Sequence, residues 1–226
     1  SVGFPGSAPG EWQIKGIGDV NGDGKADLIW KHSSLDGVAI WLMNGSTISS
    51  VGFLASVPSE WEIEEVGDVN GDEKADLVWR NKNSGLVGVW LMNGTTITSV
   101  GFPASASAEW QIEGLGDVNG DGKADLIWQH TIMGTVAVWL MNGLSLTSVG
   151  FPAGTPTDWK IEGVGDLNGD GKADLVWRND SSGVVAVWFM NGASIASTAC
   201  LAGVPSAWQI EQVADLNGDG KADVVW

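Results

Sequence analysis

Asp19, Asn21, Asp23 and Asp27 occupy positions 1, 3, 5 and 9 of one stretch, Asp19-Val20-Asn21-Gly22-Asp23-Gly24-Lys25-Ala26-Asp27. Four oxygen-bearing side chains at that spacing can wrap a divalent cation, and the backbone carbonyl of Lys25 at position 7 can add a fifth donor. Gly24 at position 6 permits the sharp reversal that such a wrap needs. This is the first part of the EF-hand ligand scheme. The bidentate glutamate at position 12 is missing, since Trp30 stands there, so Asp27 must close the shell. A donor set without imidazole or thiolate favours calcium over zinc or copper, and a flexible multi-carboxylate cage favours calcium over magnesium.

The set recurs in steps of 49 residues. The second copy is Asp68, Asn70, Asp72, Lys74 and Asp76, and the third is Asp117, Asn119, Asp121, Lys123 and Asp125. The fourth is Asp166, Asn168, Asp170, Lys172 and Asp174, and the fifth is Asp215, Asn217, Asp219, Lys221 and Asp223. Up to five calcium ions are therefore expected. A polar turn without metal uses the same residue types, but five copies of one spacing argue for the ion. Three carboxylates in so short a loop repel one another, so a bound cation is expected to stabilise the fold. The second loop has Glu73 where the others have glycine. A left-handed backbone there costs a side chain about 1 kcal/mol, so this site is expected to be the weakest.

The formal net charge of the 226 residues is −17, from 28 acids and 11 lysines and arginines. Fifteen of the acids are loop aspartates, so the negative charge is gathered at five places, and five divalent ions would bring −17 to −7. The few basic residues do not cluster, which argues against duplex nucleic acid and anionic membrane as partners. No apolar run approaches the roughly 20 residues that span a bilayer, so membrane insertion is not expected. The chain begins inside a repeat, so any leader is expected to lie outside this sequence.

The elements that must carry these loops can be read from residues 110–158. "WQIEGLGD" precedes the loop as a β-compatible segment, and "ADLIW" follows it as a short apolar strand. "QHTIMG" is a polar turn, and "TVAVWLM" is apolar on both faces. Asn142-Gly143 predicts a two-residue hairpin, since both residues tolerate positive φ. "LSLTSVGF" is the fourth strand, and "PAGTPTD" links to the next repeat. Four short strands joined by hairpin-length links, with no helical period, predict an all-β chain. The 49-residue repeat predicts a β-propeller of four-stranded antiparallel blades, one domain over 1–226.

Strands one and two occur five times and strand three four times; the first residues, "SVGF", match strand four. Nineteen strands result, one short of twenty. Five blades are expected, with the last incomplete or completed by another chain. Exposed strand edges at such a seam favour homo-oligomers.

The 14 tryptophans fall in three repeat columns. Trp30, Trp79, Trp128, Trp177 and Trp226 form one, and Trp41, Trp90, Trp139 and Trp188 another; both read as packing between blades. Trp12, Trp61, Trp110, Trp159 and Trp208 precede the first strand and are expected to be partly exposed and available to a ligand. Cys200 stands where Phe4, Phe53, Phe102 and Phe151 stand and reads as a small buried apolar substitute. A lone cysteine makes no internal disulfide. His32 and His130, the only histidines, share a turn column with Asn81 and Asn179, and nothing pairs them with a nucleophile.

"DVNGDGKADLIW", flanked by "VGF" and "VAVWLMNG", resembles the FG-GAP/VCBS-type repeats of bacterial surface and secreted proteins, and the same loop type occurs in the propeller head of integrin α-chains. The resemblance covers essentially the whole chain. It implies a calcium-stabilised β-propeller, extracellular or on the cell surface, used for binding or adhesion, with the loop residues above as ligands. It implies no single partner. The residues themselves argue against catalysis, since no nucleophile motif surrounds any serine and most carboxylates belong to the loops.

Three roles remain open. A non-enzymatic scaffold would contact a protein through the divergent turns "KHSSLDG", "RNKNSGL", "QHTIMG" and "RNDSSG". A multivalent lectin would use the first tryptophan column against sugar rings; five near-identical blades also look like the five-bladed animal lectins of the tachylectin type, an analogy of fold alone. A purely structural module within a longer surface protein would need neither.

Overall fold

The computed structural model describes Gly6 and residues 8–205 and 207–226. Every element among them is a strand. The expected strand-four match "SVGF" at residues 1–4 lies outside the described residues.

Contacts divide the chain into two compact units. One is 1–107 with 143–145, and the other is 108–142 with 146–226. The first holds a sheet of β1 (Trp12–Gly18), β2 (Asp27–His32), β3 (Gly37–Asn44) and β4 (Thr47–Ser56). It also holds a sheet of β5 (Trp61–Gly67), β6 (Asp76–Asn81), β7 (Val87–Asn93) and β8 (Thr96–Gly101). The second has β9 (Trp110–Gly116), β10 (Asp125–His130), β11 (Val136–Asn142) and β12 (Ser145–Gly150). It continues with β13 (Trp159–Gly165), β14 (Asp174–Asn179), β15 (Val184–Asn191) and β16 (Ser194–Gly203), and ends with a pair, β17 (Gln212–Ala214) and β18 (Asp223–Val225). Strands are neighbours in sequence order and antiparallel throughout, as hairpin-length links require. This is the expected all-β blade organisation: four four-stranded sheets and a small fifth.

The pattern of burial explains the sequence pattern. The second and third strands are apolar on both faces because both faces are covered; all six residues of β6, β10 and β14 are buried. The fourth strands alternate between half-buried and exposed, as β8 does. Within the first unit, Ile29, Val38 and Ile40 of one sheet pack against Ile63, Leu77 and Trp79 of the other. The second unit repeats this with Ile127, Val136 and Val138 against Ile161, Leu175 and Trp177.

First strands of adjacent sheets come close because glycine lets them. A Cβ on Gly16 would lie 2.3 Å from Val66, and one on Gly163 would lie 2.4 Å from Val213. The first strands of the four-stranded sheets also bulge, with Lys15, Glu64, Glu113 and Glu162 as the inserted residues. This added residue spoils the strict alternation that a regular strand would show in the sequence.

Two expectations need correction. The hairpin does not use both residues of Asn-Gly. Asn44 pairs with Thr47 as the last strand residue, and only Gly45 has positive φ, at 61°. That is the turn class with glycine at the first central position. Nor is Cys200 buried. Its column lies on the outer strand or just past its end, where Phe53, Phe102 and Phe151 are exposed too.

Candidate metal centres

Each aspartate-rich loop joins the first strand of a sheet to the second. Position 1 follows the first strand directly, and position 9 is the first residue of the second. Position 2 anchors the loop from below: Val20, Val69 and Val118 are fully buried. The reversal comes from two left-handed residues, such as Gly22 and Gly24, each at φ 78°. Glu73 adopts the same conformation at φ 63°, so the second loop keeps the shape and bears the strain of a side chain in that region.

The Asp19 carboxylate organises its own loop. Oδ1 accepts the backbone N–H groups of Asn21, Gly22 and Asp23 at 3.2, 2.7 and 3.2 Å, and Oδ2 accepts that of Gly24 at 2.6 Å. Asp68, Asp117, Asp166 and Asp215 likewise accept the position-4 N–H at 2.7 Å. The position-5 carboxylates, Asp23, Asp72, Asp121, Asp170 and Asp219, accept the N–H of Lys25, Lys74, Lys123, Lys172 and Lys221 at 2.9–3.0 Å. Lys25 Nζ lies 3.2 Å from Asp23 in an exposed ion pair.

Position 9 is different in kind. Asp27, Asp76, Asp125 and Asp174 are fully buried. Asp125 Oδ1 accepts the N–H of Met141 at 2.8 Å, and Oδ2 accepts those of Val118 at 3.2 Å and the Asn119 amide at 3.4 Å. One carboxylate thus ties the loop, the second strand and the third strand together. Asn21, Asn70, Asn168 and Asn217 make the same amide contact to Asp27, Asp76, Asp174 and Asp223. Asp223, in the two-stranded sheet, is only half buried.

Burial pushes the carboxyls of Asp76 and Asp125 up to about 7, against the pull of their backbone N–H donors. Burial raises Asp27 and Asp174 as well. Burial alone would raise Asp19 also, but its four backbone donors, led by Gly24, together hold it below the usual value. Backbone donors, Gly220 first, likewise lower Asp215.

The donor set, hard oxygens from one short loop beside a buried carboxylate, fits a hard divalent cation, whose charge would favour the ionised form of position 9. Positions 1, 3, 5 and 9 are brought into contact pairwise. Among the described residues, no three acidic, imidazole or thiol groups form one preformed metal cluster. Their oxygens are occupied largely by the loop's own N–H donors.

Sequence reasoning missed a second duty of these loops. The Asp19 carbonyl accepts the N–H of Ala75 at 2.7 Å, and the Val20 carbonyl accepts that of Gly94 at 2.6 Å, so the first loop holds the next sheet. Asp117 and Val118 hold Ala173 and Gly192 in the same way, and Asp166 holds Ala222. The fixed alanine at position 8 and the fixed hairpin glycine were the available signals. A third link went unread: Lys31 donates to the Trp61 carbonyl, Gln129 to Trp159 at 2.8 Å, and Arg178 to Trp208. These side chains pin the start of the following sheet.

The first tryptophan column is half buried at Trp12, Trp61, Trp110 and Trp159, and Trp208 is 56% exposed. Trp12 meets His32 and Trp110 meets His130 edge to face, each at 5.0 Å. The second column is buried at Trp79, Trp128 and Trp177. Each of these rings leans on the third column, Trp79 on Trp90 at 4.7 Å for example. The histidines are turn-formers: His130 Nδ1 accepts the N–H groups of Ile132 and Met133, as Asn81 Oδ1 accepts those of Asn83 and Ser84.

A family model described as FG-GAP-like repeat matches residues 68–128 and 166–226. Comparison with curated proteins returned no match. Among solved structures, a luciferin-regenerating enzyme is similar with a TM-score of 0.54 and 10% identity, over 90% of this chain and 66% of that one. Kuenenia stuttgartiensis hydrazine synthase gives 0.48 and 14%, over 88% and 53%. The V. cholerae biofilm matrix protein Bap1 gives 0.40 and 17%, over 100% and 37%. The chain spans less than two thirds of each of these proteins, and at such identity the first likeness speaks for fold alone.

Proposed function

This chain belongs to the FG-GAP-like repeat family, and from that premise we propose that it is a non-enzymatic, calcium-stabilised binding and adhesion scaffold that works outside the cell. The observation that carries the reading is the double duty of the loop. The same nine residues hold the oxygen donors and, through the carbonyls of Asp19 and Val20, the next sheet. An ion that stiffens the loop therefore stiffens the joint between sheets. The side chains at positions 1, 3, 5 and 9 and the position-7 carbonyl would hold it. The ion's contribution is charge neutralisation, with no chemical step.

Partner contact falls to the divergent turns between second and third strands. Leu35, Ile132 and Met133 are exposed there, at 71, 70 and 61%. Apolar tips on an acidic surface suit a protein partner. Self-association through the last sheet belongs to the same proposal: among the described residues β18 pairs with β17 alone. The lectin alternative rests on the half-exposed tryptophans Trp12, Trp61, Trp110 and Trp159. A glycan array on calcium-loaded protein decides it: a reproducible set of related sugars makes this a lectin, and a blank array on folded protein leaves the protein-binding scaffold.

The direct test of the scaffold reading is thermal unfolding across a calcium titration. Tm is expected to rise with calcium and to fall with chelation. At 100 times its Kd, one site adds about 2.7 kcal/mol. Affinities near those of extracellular modules, about 10⁻⁴–10⁻³ M, are expected because position 12 lacks its glutamate. An unchanged Tm after chelation would sink the calcium reading, and submicromolar binding would contradict the extracellular placement.

A further inference from the structure

Nine asparagines of the chain stand directly before a glycine. Such a pair can react with itself. The glycine backbone N attacks the asparagine Cγ, unhindered because glycine has no side chain. The bond that forms joins that N to Cγ, and the bond that breaks is Cγ–Nδ2. Nδ2 leaves as ammonia with the proton that the glycine N gives up, and a succinimide ring results. Water then opens the ring at either carbonyl, to aspartate or to isoaspartate. The step needs no oxidant, no reductant and no co-reactant but water.

Four of the nine pairs close the hairpins between third and fourth strands. Their local sequences are the same: Met43-Asn44-Gly45, Met92-Asn93-Gly94, Met141-Asn142-Gly143 and Met190-Asn191-Gly192. Sequence alone would give them equal reactivity. The fold does not. The Gly94 N–H donates to the Val20 carbonyl at 2.6 Å, Gly143 to Val69 at 2.7 Å and Gly192 to Val118 at 2.6 Å. A Cβ on each of these glycines would lie 3.7, 3.5 and 3.9 Å from Asn21, Asn70 and Asn119 of the neighbouring loop. Gly94 and Gly143 are buried. Gly45 is the exception. It is exposed, an added Cβ would meet nothing within 4 Å, and its N–H has no acceptor among the described residues.

The other five pairs lie in the aspartate-rich loops, where the N–H groups of Gly22, Gly71, Gly120, Gly169 and Gly218 donate to the position-1 carboxylate, each at 2.7 Å. A glycine N whose proton is held by an acceptor must first give up that bond, and at Gly94 and Gly143 the carbonyl left behind would be covered from water. Gly45 has no such bond to break.

We propose that Asn44 is a site of spontaneous covalent modification, losing its amide to give aspartate and isoaspartate while the fold protects Asn93, Asn142 and Asn191. The product adds one negative charge to an acidic chain. As isoaspartate it also lengthens the backbone beside Met43, whose N–H is held by Asp27 at 2.8 Å. The inference goes beyond the scaffold reading and does not rest on the ion.

The test is ageing of the full chain in mildly alkaline buffer with calcium, followed by proteolytic digestion and peptide mass mapping at intervals. Chromatography separates the aspartate and isoaspartate forms of each peptide. Asn44 is expected to lose its amide about tenfold faster or more than Asn93, Asn142 and Asn191, the effect of one backbone hydrogen bond that must be broken before reaction. The same chain unfolded in urea is expected to modify all four at similar rates. Asn44→Gln is expected to remove the fast site, because its longer side chain would have to close a larger ring, and circular dichroism checks that this variant is folded. The proposal is overturned if the four hairpin asparagines of the folded chain react alike, if Asn44 keeps its amide for as long as the other three, or if Asn44 is equally favoured in urea, which would take the cause away from the fold.

Discussion

Position 9 of each loop carries more of the structure than its place in a ligand pattern suggests. Asp125 is fully buried and accepts two backbone N–H groups from two strands. Asp125→Ala leaves both donors unmatched in the interior, each at about 1–3 kcal/mol. Urea unfolding should show a loss of about 2–6 kcal/mol even in chelator; a loss seen only with calcium present would make Asp125 a ligand and nothing more. The histidines make the opposite case. His130 does the work of Asn81 and Asn179. His130→Asn is expected to stay within about 0.5 kcal/mol of the natural chain, and His130→Ala to lose about 1 kcal/mol. The sequence displayed the His/Asn exchange plainly. It could not display its reason, because a shared acceptor position exists only once the turn is folded.

At the scale of elements, the sheets are regular where their neighbours are regular. The first strand is the exception, with a bulge and a glycine where the next sheet presses in. Gly163→Ala drives a Cβ to 2.4 Å from Val213, so one strand must move. Overpacking of this kind costs about 1–3 kcal/mol, and urea melts of Gly163→Ala beside Gly154→Ala read the difference. Gly154 has no neighbour closer than 3.5 Å to an added Cβ, so its change should be the milder. The four-strand count, hairpins and apolar middle strands were all legible from a 49-residue period. The loop-to-sheet hydrogen bonds were not, since they are set by a partner 49 or more residues away.

For the whole molecule, charge is the dominant sequence-level fact. A chain at −17 with its acids gathered at five loops repels itself when no cation is bound. Raising sodium chloride from 0.01 to 0.15 M shortens the screening length from about 30 to about 8 Å. Chelated protein should therefore gain Tm with salt, and calcium-loaded protein should gain much less. Equal responses would mean that the loop charges are not coupled to folding.

The sequence by itself determined the repeat, the all-β class, the strand order within each sheet and the spacing of aspartate and asparagine in every loop. All of these are local, because a hairpin-linked sheet and a nine-residue loop are built from consecutive residues. Tertiary structure alone decided that position 9 of the first four loops is buried and tied to three segments. It also decided that Asp19 and Val20 hold the next sheet, and that one tryptophan from each column meets in a single recess. Those features depend on distances between residues far apart in the chain, and such distances are fixed only when the sheets pack face against face.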